Sequence, residues 1–405
     1  MEIRRGLDAF TFLIVLTACG PNAREAADDL VTSSDPRLVE LASALLPDLA
    51  EYSGLELRGP VRLERKSRDQ LVDYLKIKLD EELPEDEAKS RVDAYSLLGL
   101  VPVDLDLRAV LMSLYTEQIA GFYEPDSTAL FVMDDQPEEL LEGLLVHELV
   151  HAIQDQHIDL DSITDRKLGN DQIIAAQSVI EGQATLVMLE FMTERATGVA
   201  VDLGQTSEFS SQIRQLLEET RSQFPVLANS PRVIRESLLF PYLEGVSFVQ
   251  SLWSQVGRVA PFGERLPIST EQVLSRSMAE EPIEIELEVH GARVVQEDVL
   301  GQLVVGVMVD EHLGTGTGLL TEGWEGDRYA LIENAHNERG LVWFALWKDA
   351  ASRDQFANAM EPALANLPKL GELEQLDVAG WPATELRVGP VGGVRATARV
   401  TRNHD

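Results

Sequence analysis

The chain has a single cysteine, Cys19, among its 405 residues. No disulfide can form within the chain, and no cluster of thiolates can hold a metal ion. The fold must therefore depend on packing, and 44 % hydrophobic residues are enough for a core. A chain of this length is expected to form two or three domains, or one large domain with appendages. Any metal ion that it binds must be held by histidine and carboxylate.

The chain is also strongly acidic, because 69 Asp and Glu residues outnumber 34 Lys and Arg residues and give a formal net charge of −35. A surface this negative repels phosphate and lacks the basic patch that nucleic-acid binding requires. The apolar content excludes a disordered acidic tail. We therefore expect a folded protein that does not bind nucleic acid and carries its charge on a solvated surface.

Residues 1–18 have the pattern of a secretory signal peptide. Arg4 and Arg5 precede the apolar run 9–18, which is too short to span a bilayer as a mature helix. We therefore expect this segment to be removed and the protein to be exported. No later stretch of the sequence is long and apolar enough to span a membrane.

The sequence Leu16-Thr-Ala-Cys19 resembles the lipobox of bacterial lipoproteins. The resemblance implies that cleavage occurs before Cys19 and that its thiol carries a lipid anchor. Gly20 follows, rather than the Asp associated with inner-membrane retention, so an outer-membrane lipoprotein of the bacterial cell envelope is expected. A plain signal peptide with an incidental cysteine is the alternative. Residues 19–35 are predicted to be a polar tether.

Residues 36–260 are predicted to be mostly helical, with a small mixed or antiparallel sheet. Asp35-Pro36 has the residue types that begin a helix, and apolar residues recur at helical spacing in several later segments. Ala120–Glu124 and Ala129–Met133 flank a tight turn and are predicted to be strands. The predicted helices are 36–46, 67–80, 88–100, 105–119, 137–158, 171–196, 206–222 and 241–256.

Residues 261–405 are predicted to form a smaller α+β region of unknown role. Residues 283–290 alternate between apolar and acidic side chains, which is typical of a half-exposed strand. Residues 341–347 are predicted to be a second strand, 351–364 a helix, and 373–388 to hold one more strand. The whole chain is therefore predicted to have an α+β fold.

Within the predicted helix 137–158 lies the sequence His147-Glu-Leu-Val-His151. Two histidines four residues apart lie on one face of a helix, where both imidazoles can reach the same zinc ion, and Glu148 can address its bound water. The neighbouring residues are apolar, so the helix is predicted to be buried. Burying two histidines and a carboxylate without partners would cost several kcal/mol, and a metal ion removes this cost. A chance pattern on a surface helix is the alternative.

Two residues are candidates for the third ligand. His157 stands six residues after His151, which is the spacing of the metzincins, but Gln154 occupies the position where that family has a helix-breaking Gly. Glu181, thirty residues after His151, could be brought beside the two histidines by a loop and a returning helix. A solvated glutamate on an amphipathic helix is the alternative at that position.

The His147–His151 motif together with Glu181-Gly-Gln-Ala184 resembles the gluzincin zinc peptidases, over about residues 115–250. This resemblance implies a zincin-like catalytic domain within 36–260, in which small residues after the ligand Glu let helices approach closely. As a whole, the chain resembles uncharacterised bacterial lipoproteins of this type.

The resemblance also implies roles for individual residues. His147, His151 and Glu181 would hold one Zn²⁺ ion, and Glu148 would be the general base. In several gluzincin branches a tyrosine in a Tyr-x-x-Gly setting donates its hydroxyl to the oxyanion, and Tyr242 stands in such a setting where Pro241 is predicted to open a helix.

The sequence departs from these relatives in the groups that surround the site. It has no Gly-x-Met-Glu-Asn element, so exopeptidase activity is not implied. Thr185 stands where the thermolysin-like enzymes have an Asp that orients a histidine, which leaves Gln154 and Asp155 as candidates for that role. Ala129–Met133, with Gly121–Tyr123 leading in, is a candidate for the edge strand that pairs with an extended peptide in these relatives, and an ordinary hairpin is the alternative.

These features predict a zinc-dependent hydrolase that acts on peptide or protein substrates. The alternative is a non-catalytic envelope lipoprotein with a structural zinc site or none. A structural site would be closed by a fourth protein ligand, for which His157 is the obvious candidate. A metzincin-type site with His157 as third ligand is a further option.

Overall fold

The computed structural model describes residues 30–203, 224–314, 316 and 318–400. The predicted signal peptide, Cys19 and the predicted helix 206–222 lie outside these ranges. The fold is α+β, as the sequence predicts. None of the helices in the described ranges combines the length and the apolar character needed to cross a membrane.

The first part of the chain consists of helices packed around a small four-stranded sheet. Its helices are α1 (Pro36–Ser53), α2 (Arg68–Glu82), α3 (Glu85–Leu97), α4 (Leu107–Gln118), α5 (Glu138–Asp155), α6 (Asn170–Thr197), α7 (Pro225–Asn229) and α8 (Arg232–Val256). Its strands are β1 (Val31–Thr32), β2 (Val61–Lys66), β3 (Gly121–Glu124) and β4 (Ala129–Met133). They lie in the order β1-β2-β4-β3, and only β3 is antiparallel to its neighbour.

Strand β3, not β4, is an edge of this sheet. The sequence predicts Ala129–Met133 as the edge strand, but β4 pairs with β2 on one side and with β3 on the other. Every residue of β4 is buried, and a continuous apolar run is typical of a strand that is covered on both faces. The prediction that β4 is an edge strand is wrong, because β2 comes from earlier in the chain and pairs with the edge of β4 that does not face β3.

Helix α8 begins at Arg232, whereas the sequence predicts that it starts after Pro241. Pro241 lies inside the helix, although proline lacks a backbone N–H and usually kinks or ends a helix. The helix continues because Phe240, Pro241 and Leu243 are all buried, and tertiary packing outweighs the local preference. Tyr242 therefore lies in the middle of a long helix rather than at its start.

The rest of the chain is built on a five-stranded antiparallel sheet with the order β6-β7-β8-β10-β9, beside a separate pair of β5 and β11. The sequence predicts one strand within 373–388, but this segment forms two, joined by a turn in which Ala379 and Gly380 both have positive φ. The elements are α9 (Thr270–Ser275), β5 (Ile285–His290), β6 (Arg293–Asp298), α10 (Gly301–Leu313), β7 (Trp324–Glu333), β8 (Arg339–Trp347), α11 (Ala350–Met360), β9 (Gly371–Val378), β10 (Trp381–Val388) and β11 (Arg395–Val400).

The apolar residues form separate cores on the two sheets. One core lies between the four-stranded sheet and helices α1, α5, α6 and α8. A second lies between one face of the five-stranded sheet and helices α3, α10 and α11, and the β5–β11 pair covers the other face. Val92 of α3 and Val233 of α8 belong to the second core, so helices of the first part pack directly on the C-terminal part.

Helices α6 and α8 cross with their backbones in contact at Gly182 and Gly245. A Cβ atom on Gly182 would lie 2.3 Å from the carbonyl carbon of Gly245, and one on Gly245 would lie 1.9 Å from the carbonyl oxygen of Ser178. No residue with a side chain fits at either position unless the helices move apart. Glu181 precedes Gly182 and Tyr242 lies one turn before Gly245, so the crossing brings these two side chains together.

Aspartates of the C-terminal sheet accept hydrogen bonds from the first residues of α6 and α10, and the contact with α6 joins the two parts of the chain. Asp298 of β6 accepts a hydrogen bond from the N–H of Asn170 at 3.1 Å. The buried carboxylate of Asp327 in β7 accepts hydrogen bonds from the N–H groups of Leu300 and Gly301 at 2.8 and 2.9 Å. Carboxylates at these positions satisfy N–H groups that a helix leaves unpaired.

Asp171, in the first turn of α6, is buried at the same junction. Its Oδ1 accepts hydrogen bonds from the N–H and the hydroxyl of Thr270 at 3.2 and 2.5 Å. Burial raises the pKa of Asp171 to about 7, against the opposing effect of the Thr270 hydrogen bonds, and the charges of Asp327 and Asp298 act in the same direction as burial. The folded protein therefore binds a proton at a pH at which an unfolded aspartate has released it.

The free energy of unfolding is expected to fall as the pH rises from about 4 to about 7, and Asp171→Asn should weaken this dependence. The stabilisation is complete below the ordinary aspartate pKa and is lost as the pH rises through about 7. The raised pKa of Asp171 contributes at most about 4 kcal/mol to the free energy of unfolding. The free energy of unfolding of Asp171→Asn should still fall somewhat with pH, because burial also raises the pKa of Asp327, to about 6.

Chemical unfolding at a series of pH values measures this effect. Asp104→Asn, at an exposed position, is the matched control and should behave as the unaltered protein does. The same pH dependence in Asp171→Asn and in the unaltered protein would refute the assignment.

Candidate metal centre

Three side chains from two helices converge at one point. His147 and His151 lie one turn apart on α5, and Glu181 on α6 faces them. The two Nε2 atoms are 3.1 Å apart, and Oε2 of Glu181 lies 3.2 Å from Nε2 of His147 and 3.4 Å from Nε2 of His151. Each residue thus offers one ligand atom to a shared ion.

The size of this triangle fits a zinc ion. Bonds of about 2.0–2.2 Å in a tetrahedral site separate neighbouring ligand atoms by about 3.3 Å, and the three edges measure 3.1, 3.2 and 3.4 Å. Two imidazoles and one carboxylate are a ligand set of catalytic zinc sites, in which water or substrate takes the fourth position. Within the part of the chain that the structure describes, the candidate metal-binding group consists of His147, His151 and Glu181.

His151 and Glu181 stabilise each other's charged forms. Burial opposes the charge on His151, but Glu181, Glu148 and a hydrogen bond to Gln154 outweigh it and raise the pKa of His151 to about 9. Burial likewise opposes the charge on Glu181, yet His151 and His147 hold the pKa of its carboxyl far below the ordinary value. Glu181 therefore remains ionised, as a metal ligand must be.

Glu148 is buried beside the three ligands, with 8 % of its surface exposed. Burial raises the pKa of Glu148, and the nearby Glu181 raises it further, whereas His147, His151 and a hydrogen bond from the backbone N–H of Tyr123 lower it. Strand β3 therefore lies next to the carboxyl of Glu148. A carboxyl with a raised pKa is suited to accepting and returning a proton near neutral pH.

Tyr242 of α8 lies beside the candidate ligands. Its ring stacks on His147 with the ring centroids 6.3 Å apart and 28° between the planes. Burial of the hydroxyl raises the pKa of Tyr242 well above its ordinary value, and so do the charges of Glu181 and Glu148 and a hydrogen bond to Glu181. The hydroxyl therefore stays protonated and can donate, although 38 % of the residue is exposed.

A chain of hydrogen bonds fixes the tautomer of His151. Backbone carbonyls can only accept, so Nε2 of Gln183 must donate to the carbonyl of Ser53 at 2.9 Å, and its Oε1 must accept from Nε2 of Gln154 at 2.9 Å. Nε2 of Gln154 also donates to the carbonyl of Ile180 at 3.0 Å.

Oε1 of Gln154 therefore faces Nδ1 of His151, 2.8 Å away, and Nδ1 must carry the hydrogen. In the neutral imidazole the lone pair is then on Nε2, where a metal ion can bind by displacing the second proton. The sequence offers Gln154 and Asp155 as candidates for orienting a histidine, and it is Gln154 whose side chain contacts His151.

The structure does not bring His157 to the three ligands. It lies beyond the end of α5, and its Nε2 donates to the backbone carbonyl of Glu56 at 2.7 Å. Gln154 is helical, so the chain does not turn back at this position as the metzincin pattern requires. Asp155 accepts a hydrogen bond from the hydroxyl of Tyr123 at 2.8 Å and so ties α5 to β3.

Sequence reasoning missed Gln183 and Tyr123. Gln183 stands two residues after Glu181 and is fully buried. An uncharged polar residue within an apolar helical stretch is a signal for a buried hydrogen-bond network, and it could have been used. Tyr123 acts through its backbone N–H, for which the sequence contains no signal.

Comparisons with known proteins bear only on the C-terminal part. A family model described as a domain of unknown function (DUF8575) matches residues 288–404. Searches of curated proteins and of solved structures give no match. The matched range runs from the end of β5 past β11 and contains none of the residues of the metal centre.

Replacing Glu181 should remove the metal ion, whereas replacing His157 should not. Glu181→Ala leaves two imidazoles, which bind zinc far more weakly than the complete set. Metal analysis of protein dialysed against a weak chelator measures the bound zinc, and His157→Ala is the matched control. Retention of zinc by Glu181→Ala together with its loss from His157→Ala would establish His157 as the ligand.

Gln154→Leu is expected to weaken zinc binding by about 10- to 100-fold, because Nδ1 of His151 loses the acceptor that fixes its tautomer. Competition with a chromophoric chelator measures the dissociation constant. Gln272→Leu, at a glutamine that is equally buried in α9, should leave the affinity unchanged. Equal losses in the two variants would mean that general destabilisation, not the tautomer, is the cause.

Proposed function

We propose that the protein is a zinc-dependent hydrolase, and specifically a peptidase of the gluzincin type. The observation that carries the proposal is the zinc-sized triangle of His147, His151 and Glu181 with the buried carboxyl of Glu148 beside it. When bound, zinc supplies Lewis-acid polarisation of the scissile carbonyl and lowers the pKa of the attacking water.

The remaining steps fall to side chains of the protein. Glu148 takes the proton of the attacking water and later delivers it to the leaving amine, for which its raised pKa is suited. Tyr242 donates its hydroxyl to the oxyanion, turning from Glu181 to the substrate.

Strand β3 offers a place for a polypeptide substrate. Among the described residues, no strand pairs with its outer edge, and the N–H of Tyr123 reaches Glu148 from this strand. An extended peptide that pairs with such an edge gains backbone hydrogen bonds at every second residue. This arrangement supports a peptide substrate over a small ester or amide.

The alternative of a non-catalytic protein with a structural zinc site has less support. A structural site needs a fourth protein ligand, and within the described residues the group has three. Glu148 also lies beside the ligands without being needed to hold a metal ion. We further propose export and attachment to the bacterial outer membrane through Cys19, on the basis of the signal sequence and lipobox pattern.

Glu148→Gln should lose peptidase turnover by about 10²- to 10⁴-fold and keep its zinc, because the amide cannot accept the proton and was never a ligand. Initial rates on a fluorescence-quenched peptide mixture and metal analysis of the same samples measure both properties. Glu139→Gln, at an exposed position on the same helix, should be fully active. Turnover at the unaltered rate in Glu148→Gln would rule out this mechanism.

A further inference from the structure

Two adjoining cavities begin one helical turn from the candidate ligand Glu181, and none of the three candidate ligands lines either of them. The larger is a cleft of about 820 Å³ whose walls are α2, α3, α4, β3, the start of α6, and strands β6 and β7 of the C-terminal sheet. The smaller is a cavity of about 220 Å³ between α3, α4, α6 and α8. They share the lining residues Arg91, Leu111, Tyr115, Asn170, Ile173 and Gln177.

Residues of both cavities are neighbours of the catalytic groups. Tyr123 of the edge strand lines the cleft. Gln177 lines both cavities and lies one turn before Glu181 on α6. Tyr115 also lines both, and it lies close enough to Tyr242 to raise the pKa of that residue. A polypeptide held at the metal centre can therefore continue into the cleft and place one side chain in the smaller cavity.

The smaller cavity suits a large apolar side chain. A cavity of about 150 Å³ with apolar walls is large enough to bind benzene, so this one accepts a leucine, methionine or phenylalanine side chain. A charged side chain would lose its hydration there. Most of the side chains that line it are apolar, among them Leu105, Leu114, Ile174, Val233 and Leu238.

We propose that the cleft and the smaller cavity bind the substrate chain beside the bond that is cleaved. The cavity takes one large apolar side chain, and the cleft takes the chain on one side of it. This inference rests on the proposed peptidase function and defines its substrates as polypeptides with a large apolar residue at one fixed position. It also gives the C-terminal domain of unknown function a role, as the outer wall of the substrate cleft.

Ser237→Phe tests the cavity. Ser237 lines it from α8 and is half-buried, so a phenylalanine there fills the space. The matched control is Leu239→Phe on the same helix, which lines neither cavity. The probe is a peptide library from a digested bacterial proteome, in which mass spectrometry identifies each cleaved bond.

The unaltered protein should favour Leu, Met or Phe over Ala at one position by about tenfold or more. Ser237→Phe should abolish this preference and still cleave beside Ala, whereas Leu239→Phe should keep it.

Binding gives a second readout that does not depend on turnover. The zinc-loaded Glu148→Gln protein should bind a fluorescein-labelled peptide carrying Phe at the selected position about tenfold more tightly than the same peptide with Ala. Cleavage without an apolar preference, or a preference that survives Ser237→Phe, would overturn the inference and leave the peptidase assignment intact. A zinc-loaded protein that cleaves no peptide would overturn both.

Discussion

The backbone contact between α6 and α8 at Gly182 and Gly245 determines where the groups of the metal centre lie. Each glycine occupies a space in which even a Cβ atom would overlap the facing helix. Glu181 and Tyr242 are neighbours of these glycines on the two helices, so their side chains meet only while the helices stay this close. A long contact between two helices, rather than a loop, thus positions a ligand and a hydroxyl donor, which gives the site a rigid support.

Burying two imidazoles and two carboxylates in an apolar core is costly unless each has a partner. The partners come from three helices: Ser53 of α1 binds Gln183 of α6, Gln183 binds Gln154 of α5, and Gln154 binds His151. The packing of α1 therefore determines which nitrogen of His151 carries a hydrogen. A metal ion bound there would complete the compensation, because it would stabilise the carboxylate and both imidazoles together.

Much of the site could be predicted because its signals are local. The spacing of His147 and His151 indicates one helix face, and a glutamate on a returning helix can reach that face. The edge strand could not be predicted in the same way, because the place of β4 in the sheet depends on β2, more than sixty residues earlier. Pro241 was misleading for a related reason: its local preference is to end a helix, and burial of its neighbours overrides that preference.

The roles of the C-terminal sheet depend on the cleft that it forms with α2 and α3, and no sequence pattern specifies such a contact.

The X-ray absorption spectrum of the zinc-loaded protein at the zinc edge tests the central claim most directly. The account predicts one zinc per chain, bound by two imidazole nitrogens and by oxygen ligands at about 2.0–2.2 Å, with no sulfur. Binding of less than one zinc per chain, or a spectrum with a third imidazole, would contradict the account.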